Sequence, residues 1–535
     1  MLPKYKKALW SISVFIAIIF LIECVFSERS YDIIIKGGLI VDGSGNPWFK
    51  GDIGIKNKII QKIGQLEGTK AKKTIQAQGL IVCPGFIDIH THCDRDILEV
   101  PTVDNYILQG VTTAIGGNCG GHPYPLKEFF NEIKKKGMSP NFGCLVGHNT
   151  IREEVMEYKM GAPSAEEMAK MKALIEQEMK AGGVGFSTGL SYLPGIYSTT
   201  QELLELASVA ARYGGIYATH LRDQGLRISE AIKEAIEIGE KNNMPVQVSH
   251  IKLAEDTVWG ELERVTKPVE EARKRGIEVT LDQYPYTATS SGFTSSFPSW
   301  AFEGGREKFL ERLRDEETYS KIKSYVMQRR LTSTKGIDKL ETIYIGQLEK
   351  NPEYEGKNLK EILVSRGIKQ TVENAADLII EIEKNGGASG VFFQMDERDV
   401  EELMRLPYNM HASDGGVQML GKGVPHPRNY GTFPRVISFY VREKGIITLE
   451  EAVRKMTSLP AQTLRLKKRG MIKEGMFADI TVIDFQGVKD KSTFRNPHQY
   501  NQGIEFVIVN GEVVVERGEH TGRLTGMILY GRGKK

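Results

Sequence analysis

The sequence predicts an α/β fold: a (β/α)8 barrel of the TIM type, with an insertion between strands 7 and 8 and a small β-sandwich domain built from both chain ends. Two observations predict it. Short apolar runs alternate with amphipathic helical stretches through residues 85–466, and this alternation is typical of a parallel sheet. There are eight such runs, the number that a closed barrel requires, whereas an open doubly wound sheet needs no fixed number.

The N-terminus has the pattern of an export signal. Three lysines precede an uncharged apolar run over residues 8–22, which is shorter than the roughly 20 residues that a membrane-spanning helix needs. We expect residues 1–27 to be a cleaved signal peptide. The alternatives are a retained N-terminal membrane anchor and lipidation at Cys24. All three place the catalytic part outside the cytoplasm, periplasmic or extracellular, with membrane contact only through an uncleaved N-terminal segment.

Strand-like segments follow at residues 31–84, beginning with YDIIIKGGLIVDGSG. The same strand-like pattern occurs again at residues 467–530, in FADITVIDF and EFVIVNGEVVVERGE. β-Branched residues alternate along these segments, and Gly and Asn-Gly turns separate them. We therefore expect the two segments to be the two parts of one β-sandwich domain.

The barrel is predicted at residues 85–466. Its candidate strands are GFIDIHTH, VTTAIGGN, NFGCLVGH, GVGFSTG, GIYATHLR, PVQVSHIK, IEVTLDQYPY and YNMHASDG. The stretch from about 291 to 398 is far too long for a simple connection between the last two strands. We expect it to be an insertion with helices of its own.

Composition excludes some classes of partner. The chain has 71 Lys+Arg against 68 Asp+Glu, a formal charge of only +3, and basic residues alternate with acidic ones, so nothing indicates a nucleic-acid partner. Four cysteines lie beyond the leader segment, at positions 83, 93, 119 and 144. Four cysteines in so long a chain do not make a disulfide scaffold, and we expect mostly free thiols.

Metal-ligating residue types recur where the predicted strands end. These residues are His90 and His92, Cys119, His220, His250 and Asp414. A single histidine at a strand end is usually structural, but four of only 10 histidines in the chain fall at these ends. Barrel enzymes build their sites at the carboxyl ends of the strands. Imidazoles, a thiolate and a carboxylate together suit zinc.

Longer motifs resemble a known family. PGFIDIHTH and the Ser-Asp-Gly at residues 413–415 resemble the amidohydrolase superfamily, whose members hydrolyse amides and esters at one or two metals. More narrowly, the sequence is similar to the D-aminoacylase (N-acyl-D-amino-acid deacylase) group, from about Tyr31 to the end. The motifs that carry this similarity are GNCG, STGLSYLPG, THLRDQ, QVSHIK, DQYPYTATSS and HPRNYGTFPR.

One departure from the wider superfamily fits this narrower group. Many two-metal members bridge their ions with a carboxylated lysine on strand 4, but here that strand has Ser187 and no lysine. The resemblance implies that a cysteine replaces it. It implies one tight Zn²⁺ site formed by Cys119, His220 and His250, and a second, weaker site at His90 and His92.

The resemblance also implies a reaction: hydrolysis of the amide bond of small N-acyl-D-amino acids to a carboxylate and a free D-amino acid. Water activated by the metal would attack, and Asp414 would carry a proton from it to the leaving amine. Arg428, Tyr284 and Ser290 would bind the substrate carboxylate. The alternatives are a cyclic-amide hydrolase like dihydroorotase or hydantoinase, which would normally have the bridging lysine, and a non-catalytic barrel scaffold, which would have lost ligands.

Overall fold

A computed structural model describes residues 31–333 and 338–534. The predicted signal peptide, residues 1–27, lies outside this part of the chain. Among the described residues, no helix combines the length and the apolar character needed to cross a membrane. The described chain begins with five strands: β1 (Tyr31–Ile40), β2 (Phe49–Lys56), β3 (Ile59–Gly64), β4 (Ala71–Gln76) and β5 (Ile81–Pro84).

The first seven barrel strands follow in the predicted order, and all neighbouring pairs are parallel. They are β6 (Phe86–Asp88), β7 (Val111–Gly116), β8 (Asn141–Cys144) with β9 (Val146–Gly147), β10 (Gly185–Gly189), β11 (Ile216–His220), β12 (Val246–Val248) and β13 (Val279–Gln283). The third strand is interrupted at Leu145, so β8 pairs with β7 and β9 with β10. The Leu145 N–H still donates to the Gly116 carbonyl at 3.0 Å, which keeps the two halves in one wall.

Helices separate these strands and cover the outside of the barrel. They are α1 (Asp104–Ile107), α2 (Leu126–Lys136), α3 (His148–Met156), α4 (Ala165–Ala181), α5 (Thr200–Ala211), α6 (Ile228–Asn242) and α7 (Glu263–Lys274). Helix α4 shows how the sequence sets a boundary. The Ser164 hydroxyl accepts from the Glu167 N–H while the Glu167 carboxylate accepts from the Ser164 N–H, a capping box that satisfies otherwise unpaired donors. Short 3₁₀ turns add Cys93–Arg95 and Gly195–Tyr197.

The predicted insertion is a separate layer. Its strands β14 (Ala288–Gly292), β15 (Ile343–Gln347) and β16 (Ser389–Phe393) form an antiparallel sheet in the order β14-β16-β15. Its helices are α8 (Gly305–Arg312), α9 (Glu316–Val326), α10 (Leu359–Ser365) and α11 (Val372–Lys384), with a π-helical turn at Met327–Leu331 and 3₁₀ turns at Phe293–Ser296, Ser299–Phe302 and Pro352–Tyr354. An apolar cluster that includes Phe297, Phe309, Ile379 and Phe392 holds it together.

The insertion differs slightly from the predicted range of 291–398. It begins three residues earlier, at Ala288. The sequence did not reveal this start, because the polar strand β14 does not show the alternation of apolar and polar residues expected of a strand. At the other end, residue 398 falls inside α12 (Glu397–Arg405), whose Leu403 joins the main barrel core. That helix therefore belongs to the barrel.

The eighth strand, β17 (Asn409–His411), pairs with β13 and closes the ring. The Asp414 N–H donates to the His90 carbonyl at 2.9 Å, and the His92 N–H donates to the Gly415 carbonyl at 2.6 Å. Strands one and eight therefore meet, and the residues just beyond them meet as well. The remaining helices are α13 (Arg428–Arg435), which continues as a π-helix over Val436–Glu443, α14 (Leu449–Met456) and α15 (Ser458–Thr463).

Both chain ends contribute strands to one β-domain, whose sandwich form stays a prediction. The C-terminal strands β18 (Ile480–Ile483), β19 (Ile504–Val509), β20 (Glu512–Glu516) and β21 (Glu519–His520) join β1–β5 in a single nine-stranded sheet through antiparallel pairing of β18 with β5. The sheet branches at β1, which pairs with both β4 and β5 along one side. It ends at His520, ten residues before the predicted boundary at 530, and the following chain pairs with the barrel instead, through the Leu529 N–H and the Phe142 carbonyl (2.7 Å).

Candidate metal centre

Turns at the carboxyl ends of the strands aim the predicted ligands into the barrel mouth. Cys119, His250 and Asp414 have φ angles of 53°, 36° and 49°. Non-glycine residues rarely adopt this left-handed conformation, which costs of order 1–3 kcal/mol and tends to occur at functional sites. Here it reverses the chain just beyond three different strands, so the three side chains converge instead of continuing the alternation of a strand.

Cys119 lies at the middle of the cluster. Its Sγ is 3.4 Å from His90 Nε2, 3.5 Å from His250 Nε2 and 3.8 Å from His220 Nδ1. Two groups of donor atoms share this sulfur, and within each group all atoms lie within 4.8 Å of one another. One group is Cys119, His220 and His250; the other is Cys119, His90, His92 and Asp414. The structure thus brings together the five predicted metal ligands and Asp414, the predicted proton carrier.

Electrostatics prepare Cys119 and His250 to bind a cation. Burial alone would raise the pKa of the Cys119 thiol, but His90, His250 and His220 outweigh it and hold that pKa well below its usual value. Burial and the neighbouring Lys252 lower the pKa of His250 to about 3, so its imidazole is neutral. A thiolate and neutral imidazoles are the forms that ligate zinc, and three such ligands leave a coordination position open. The donor set therefore fits zinc.

Asp282, at the end of β13, supports both groups of donors. Its Oδ1 accepts from His90 Nδ1 at 3.1 Å and from the His250 backbone N–H at 2.8 Å, and its Oδ2 accepts from Gln247 Nε2 at 2.7 Å. A carboxylate on one ring nitrogen fixes the tautomer and orientation of a ligating histidine. Nε2 of His90 is consequently the nitrogen that faces Cys119.

Residues in loops hold the imidazoles of His220 and His250. The Ser191 hydroxyl lies 2.7 Å from His220 Nε2, and the Tyr192 ring centroid lies 4.4 Å from that of His220. Lys252 Nζ and Gln224 Nε2 lie 3.0 and 3.2 Å from His250 Nδ1. In both histidines the second ring nitrogen is occupied, so the nitrogen nearest Cys119 is the one free for an ion.

Asp414 joins the metal residues to the predicted substrate residues. Its Oδ1 is 3.1 Å from His92 Nε2 and 3.3 Å from His90 Nε2, while Oδ2 is 2.7 Å from Arg428 Nη1. Burial would raise the pKa of Asp414, but Arg428 and the surrounding histidines hold it well below the usual value. The carboxylate is therefore ionised and can accept a proton. Arg428 also stacks on Tyr284, with its Cζ 4.8 Å from the ring centroid.

The Arg428 guanidinium keeps donors available. Although Nη1 is within ion-pair distance of Asp414, its N–H bonds are not directed at the carboxylate, and neither Nη1 nor Nε has an aligned hydrogen-bond partner among the described residues. Ser290 is placed differently. It is half-buried on β14, opposite Val391 in the insertion sheet. Its role remains a prediction.

Ser187 shows what replaces the missing lysine on strand 4. Its hydroxyl donates to the Gly117 carbonyl and accepts from the Gly120 N–H at 3.2 Å. It therefore braces the loop that carries Cys119. His148 is buried against Glu202, with Nε2 2.8 Å from Oε1. The four cysteines beyond the leader are free thiols, as expected.

The sequence did not single out the residues that support the ligands: Asp282, Lys252, Gln224, Ser191 and Tyr192. Each lies in a motif already quoted, namely DQYPYTATSS, QVSHIK, THLRDQ or STGLSYLPG. Those motifs were the available signal, but a motif does not say which of its residues contacts a ligand.

Comparison with known proteins agrees with the fold and the site. The model of the amidohydrolase family matches residues 73–515. The chain belongs to the amidohydrolase family. It is similar to D-aminoacylase from Alcaligenes xylosoxydans xylosoxydans, 33% identical over 94% of this chain and 98% of the relative, and to N-acyl-D-glutamate deacylase from the same organism, 32% identical over 90% and 93%.

Solved structures of this amidohydrolase's relatives lead to the same grouping. A D-aminoacylase crystal structure superposes with a TM-score of 0.79 at 31% identity, over 94% of this chain and 100% of the other. N-acyl-D-glutamate deacylase from Bordetella bronchiseptica, solved with zinc and a phosphonate mimic of the tetrahedral intermediate, gives 0.80 at 31% with the same coverage. D-Hydantoinase gives 0.52 at 17% identity, which is a likeness of fold alone. The family predicted from the motifs and the barrel fold are confirmed.

Proposed function

We propose that this amidohydrolase is a zinc-dependent deacylase that hydrolyses the linear amide bond of N-acyl-D-amino acids, releasing a carboxylate and a free D-amino acid. The observation that carries the proposal is the position of Cys119, which lies within 3.8 Å of three histidine nitrogens and would take the role that a bridging lysine on strand 4 has in many two-metal relatives. Relatives at 31–33% identity include D-aminoacylase and N-acyl-D-glutamate deacylase.

Cys119, His220 and His250 would hold the tight zinc, and His90 and His92 a weaker second ion that shares the same sulfur. A D-aminoacylase structure has been described as a binuclear centre activated by one metal and attenuated by the second, which is in line with unequal sites. When bound, zinc supplies a Lewis acid that polarises the amide carbonyl and makes water nucleophilic near neutral pH.

Asp414 would transfer a proton from the attacking water to the leaving amine. Its carboxylate is ionised, is 6% exposed and touches both histidines of the weaker site. As general base it takes a proton from the attacking water, and as general acid it gives that proton to the amine nitrogen, which must be protonated to leave.

Arg428 would orient the substrate. Its unpaired donors can take the α-carboxylate in two parallel hydrogen bonds, as a planar guanidinium does. Tyr284, buried and stacked on Arg428, holds the guanidinium in place. Ser290 would have to reach the same carboxylate from β14. The substrate is thus a small N-acyl amino acid, and the near-neutral charge of +3 offers no surface for nucleic acid.

The two alternative functions are less well supported. A cyclic-amide hydrolase would normally use the bridging lysine, but Ser187 stands there and braces the Cys119 loop. A non-catalytic scaffold would have lost ligands, whereas all five predicted metal ligands converge, together with Asp414. We also propose export to the periplasm or the extracellular space, supported by the lysines and apolar run of residues 1–27; membrane contact would then require that this segment stay uncleaved.

The test is a panel of paired N-acetyl-D and N-acetyl-L amino acids with neutral, acidic and basic side chains, assayed by release of the free amine. Zinc is measured on the same protein, purified without added metal. We expect about one zinc per chain and hydrolysis of D substrates only. Hydrolysis of hydantoins or dihydroorotate without hydrolysis of any N-acyl-D-amino acid would refute the proposal, and so would hydrolysis of the L series.

A further inference from the structure

The insertion carries a cation without an acidic partner. Arg330 lies in the π-helical turn Met327–Leu331. Its Nη2 donates to the hydroxyl and carbonyl of Ser295 at 2.9 and 3.2 Å, its Nη1 approaches Gln394 Oε1 at 3.4 Å, and its Cζ lies 4.8 Å from the Phe392 ring centroid. All of these partners are neutral. Nε is buried and has no hydrogen-bond partner among the described residues.

The adjacent arginine makes a useful contrast. Arg329 Nη1 pairs with Glu255 Oε1 at 2.5 Å, and about half of its side chain is exposed. Within the described part of the chain, no carboxylate lies within ion-pair distance of Arg330. A charge removed from water without an opposite charge is costly. Ser295, Gln394 and the ring of Phe392 orient the guanidinium but do not neutralise it, and because the Arg330 side chain is only partly buried, an anionic ligand can reach it and supply a counter-charge.

The position of Arg330 connects it to the metal centre. The loop after β10 makes the link: Ser191 and Tyr192 contact His220, and the next residue, Leu193, packs against the insertion core. That core contains Leu331, the neighbour of Arg330, and Phe392, on which the guanidinium rests. Gln394, which Arg330 Nη1 approaches, directly precedes Met395, whose sulfur lies 3.9 Å from the Tyr284 hydroxyl. Arg330 therefore lies in the part of the insertion that packs next to the loop contacting His220 and next to Tyr284.

We propose that Arg330 binds the side-chain carboxylate of the substrate, so that this enzyme acts on N-acyl-D-amino acids with acidic side chains, the aspartate and glutamate class. The inference rests on the proposed deacylase function. It assigns two cations to two anions: Arg428 on the barrel takes the α-carboxylate, and Arg330 on the insertion takes the side chain. Overall similarity does not make this choice, because relatives named for glutamate, aspartate and D-amino acids in general are 32%, 32% and 33% identical.

The test compares matched acidic and neutral substrates on one protein. N-acetyl-D-glutamate is paired with N-acetyl-D-glutamine, and N-acetyl-D-aspartate with N-acetyl-D-asparagine, because each pair has the same shape and differs in charge. We expect the wild-type enzyme to prefer the better acidic substrate over its amide by at least about tenfold in kcat/KM. The Arg330→Gln variant should lose about a hundredfold on that acid, since a buried charge is left unpaired, and less than about threefold on the amide.

Arg329→Gln is the matched control, since it removes the same charge from the adjacent residue, whose partner is Glu255. It should change neither substrate more than about threefold. Melting temperature and zinc content are measured for both variants. Equal losses on acid and amide in Arg330→Gln would make Arg330 a structural residue and overturn the inference. Wild-type preference for neutral D substrates would also overturn it while leaving the deacylase function intact, whereas no hydrolysis of any D substrate would refute both.

Discussion

Asp282 offers a direct test of how the metal centre is held. Its Oδ1 accepts from both His90 Nδ1 and the backbone N–H of His250, and its Oδ2 accepts from Gln247. The side chain is fully buried, so water cannot replace it. We expect Asp282→Ala to weaken zinc binding, because the His90 ring loses the partner that fixes its tautomer and the turn at His250 loses an acceptor.

The magnitude follows from these contacts. Partners of ligating histidines typically contribute 10- to 100-fold in metal affinity, and since Asp282 serves two ligands we expect Asp282→Ala near the upper end, about 3 kcal/mol. Asp282→Asn should be milder, about tenfold. Its amide oxygen can still accept from His90 and His250, and Gln247 can turn its amide because its Oε1 has no other partner among the described residues. The difference between the two variants measures the hydrogen bonds separately from the charge.

The assay is competition for zinc with a chelator of known affinity, together with thermal unfolding of the zinc-free protein. The control is Asp479→Asn, which alters a buried aspartate of the β-domain that is paired with Arg469. It should lower stability while leaving zinc affinity within about twofold. A folded Asp282→Ala protein with wild-type zinc affinity would show that the carboxylate does not position the ligands.

Three further outcomes are expected. Cys119→Ala should lose the tightly bound zinc and the activity together, measured by elemental analysis and turnover; a metal-replete, active variant would contradict the assigned site. Asp414→Asn should keep zinc and fold but lose about a hundredfold or more in kcat, and near-normal turnover would mean that another group carries the proton. Glu202→Gln should cost about 3 kcal/mol in urea unfolding at pH 7, since a buried pair is broken. Burial would raise the pKa of Glu202, but His148 and Arg152 outweigh it and lower that pKa; the stabilisation is thus fully present above the unfolded value of about 4.3 and is lost as the pH falls through the native pKa. A difference that stays constant down to pH 3 would argue against the ion pair.

The sequence was sufficient for residues whose position follows from a single strand. His90 and His92 come directly after an apolar run, and His220 ends one, so the convergence of strand ends in a barrel predicts that they meet. Cys119 and Asp414 also lie just past strands, although their left-handed backbone was not predictable, because only Gly adopts that conformation readily and neither residue is Gly.

Contacts that depend on the register between two strands could not be predicted from the sequence. Asp282 reaches the His250 N–H because β12 and β13 pair with Val248 opposite Leu281, and one strand's pattern does not encode its register with the next. The start of the insertion was missed for a related reason. β14 is polar and half exposed, and its strand conformation comes from pairing with β16 over a hundred residues later.

The residues that would bind the substrate side chain lie in the insertion, apart from the metal ligands. The metal ligands are fixed by turns on barrel strands and by the main core, whereas Arg330 is fixed by the insertion, which has an apolar cluster of its own. Substitutions in the insertion can therefore change the charge presented to the substrate side chain without moving Cys119 or Asp414. Overall similarity does not separate these substrate classes, since relatives named for different D-amino acids are almost equally similar to this chain. If Arg330 binds the side-chain carboxylate as proposed, exchange of this one insertion residue should change the preference for the substrate side chain while the metal centre stays intact.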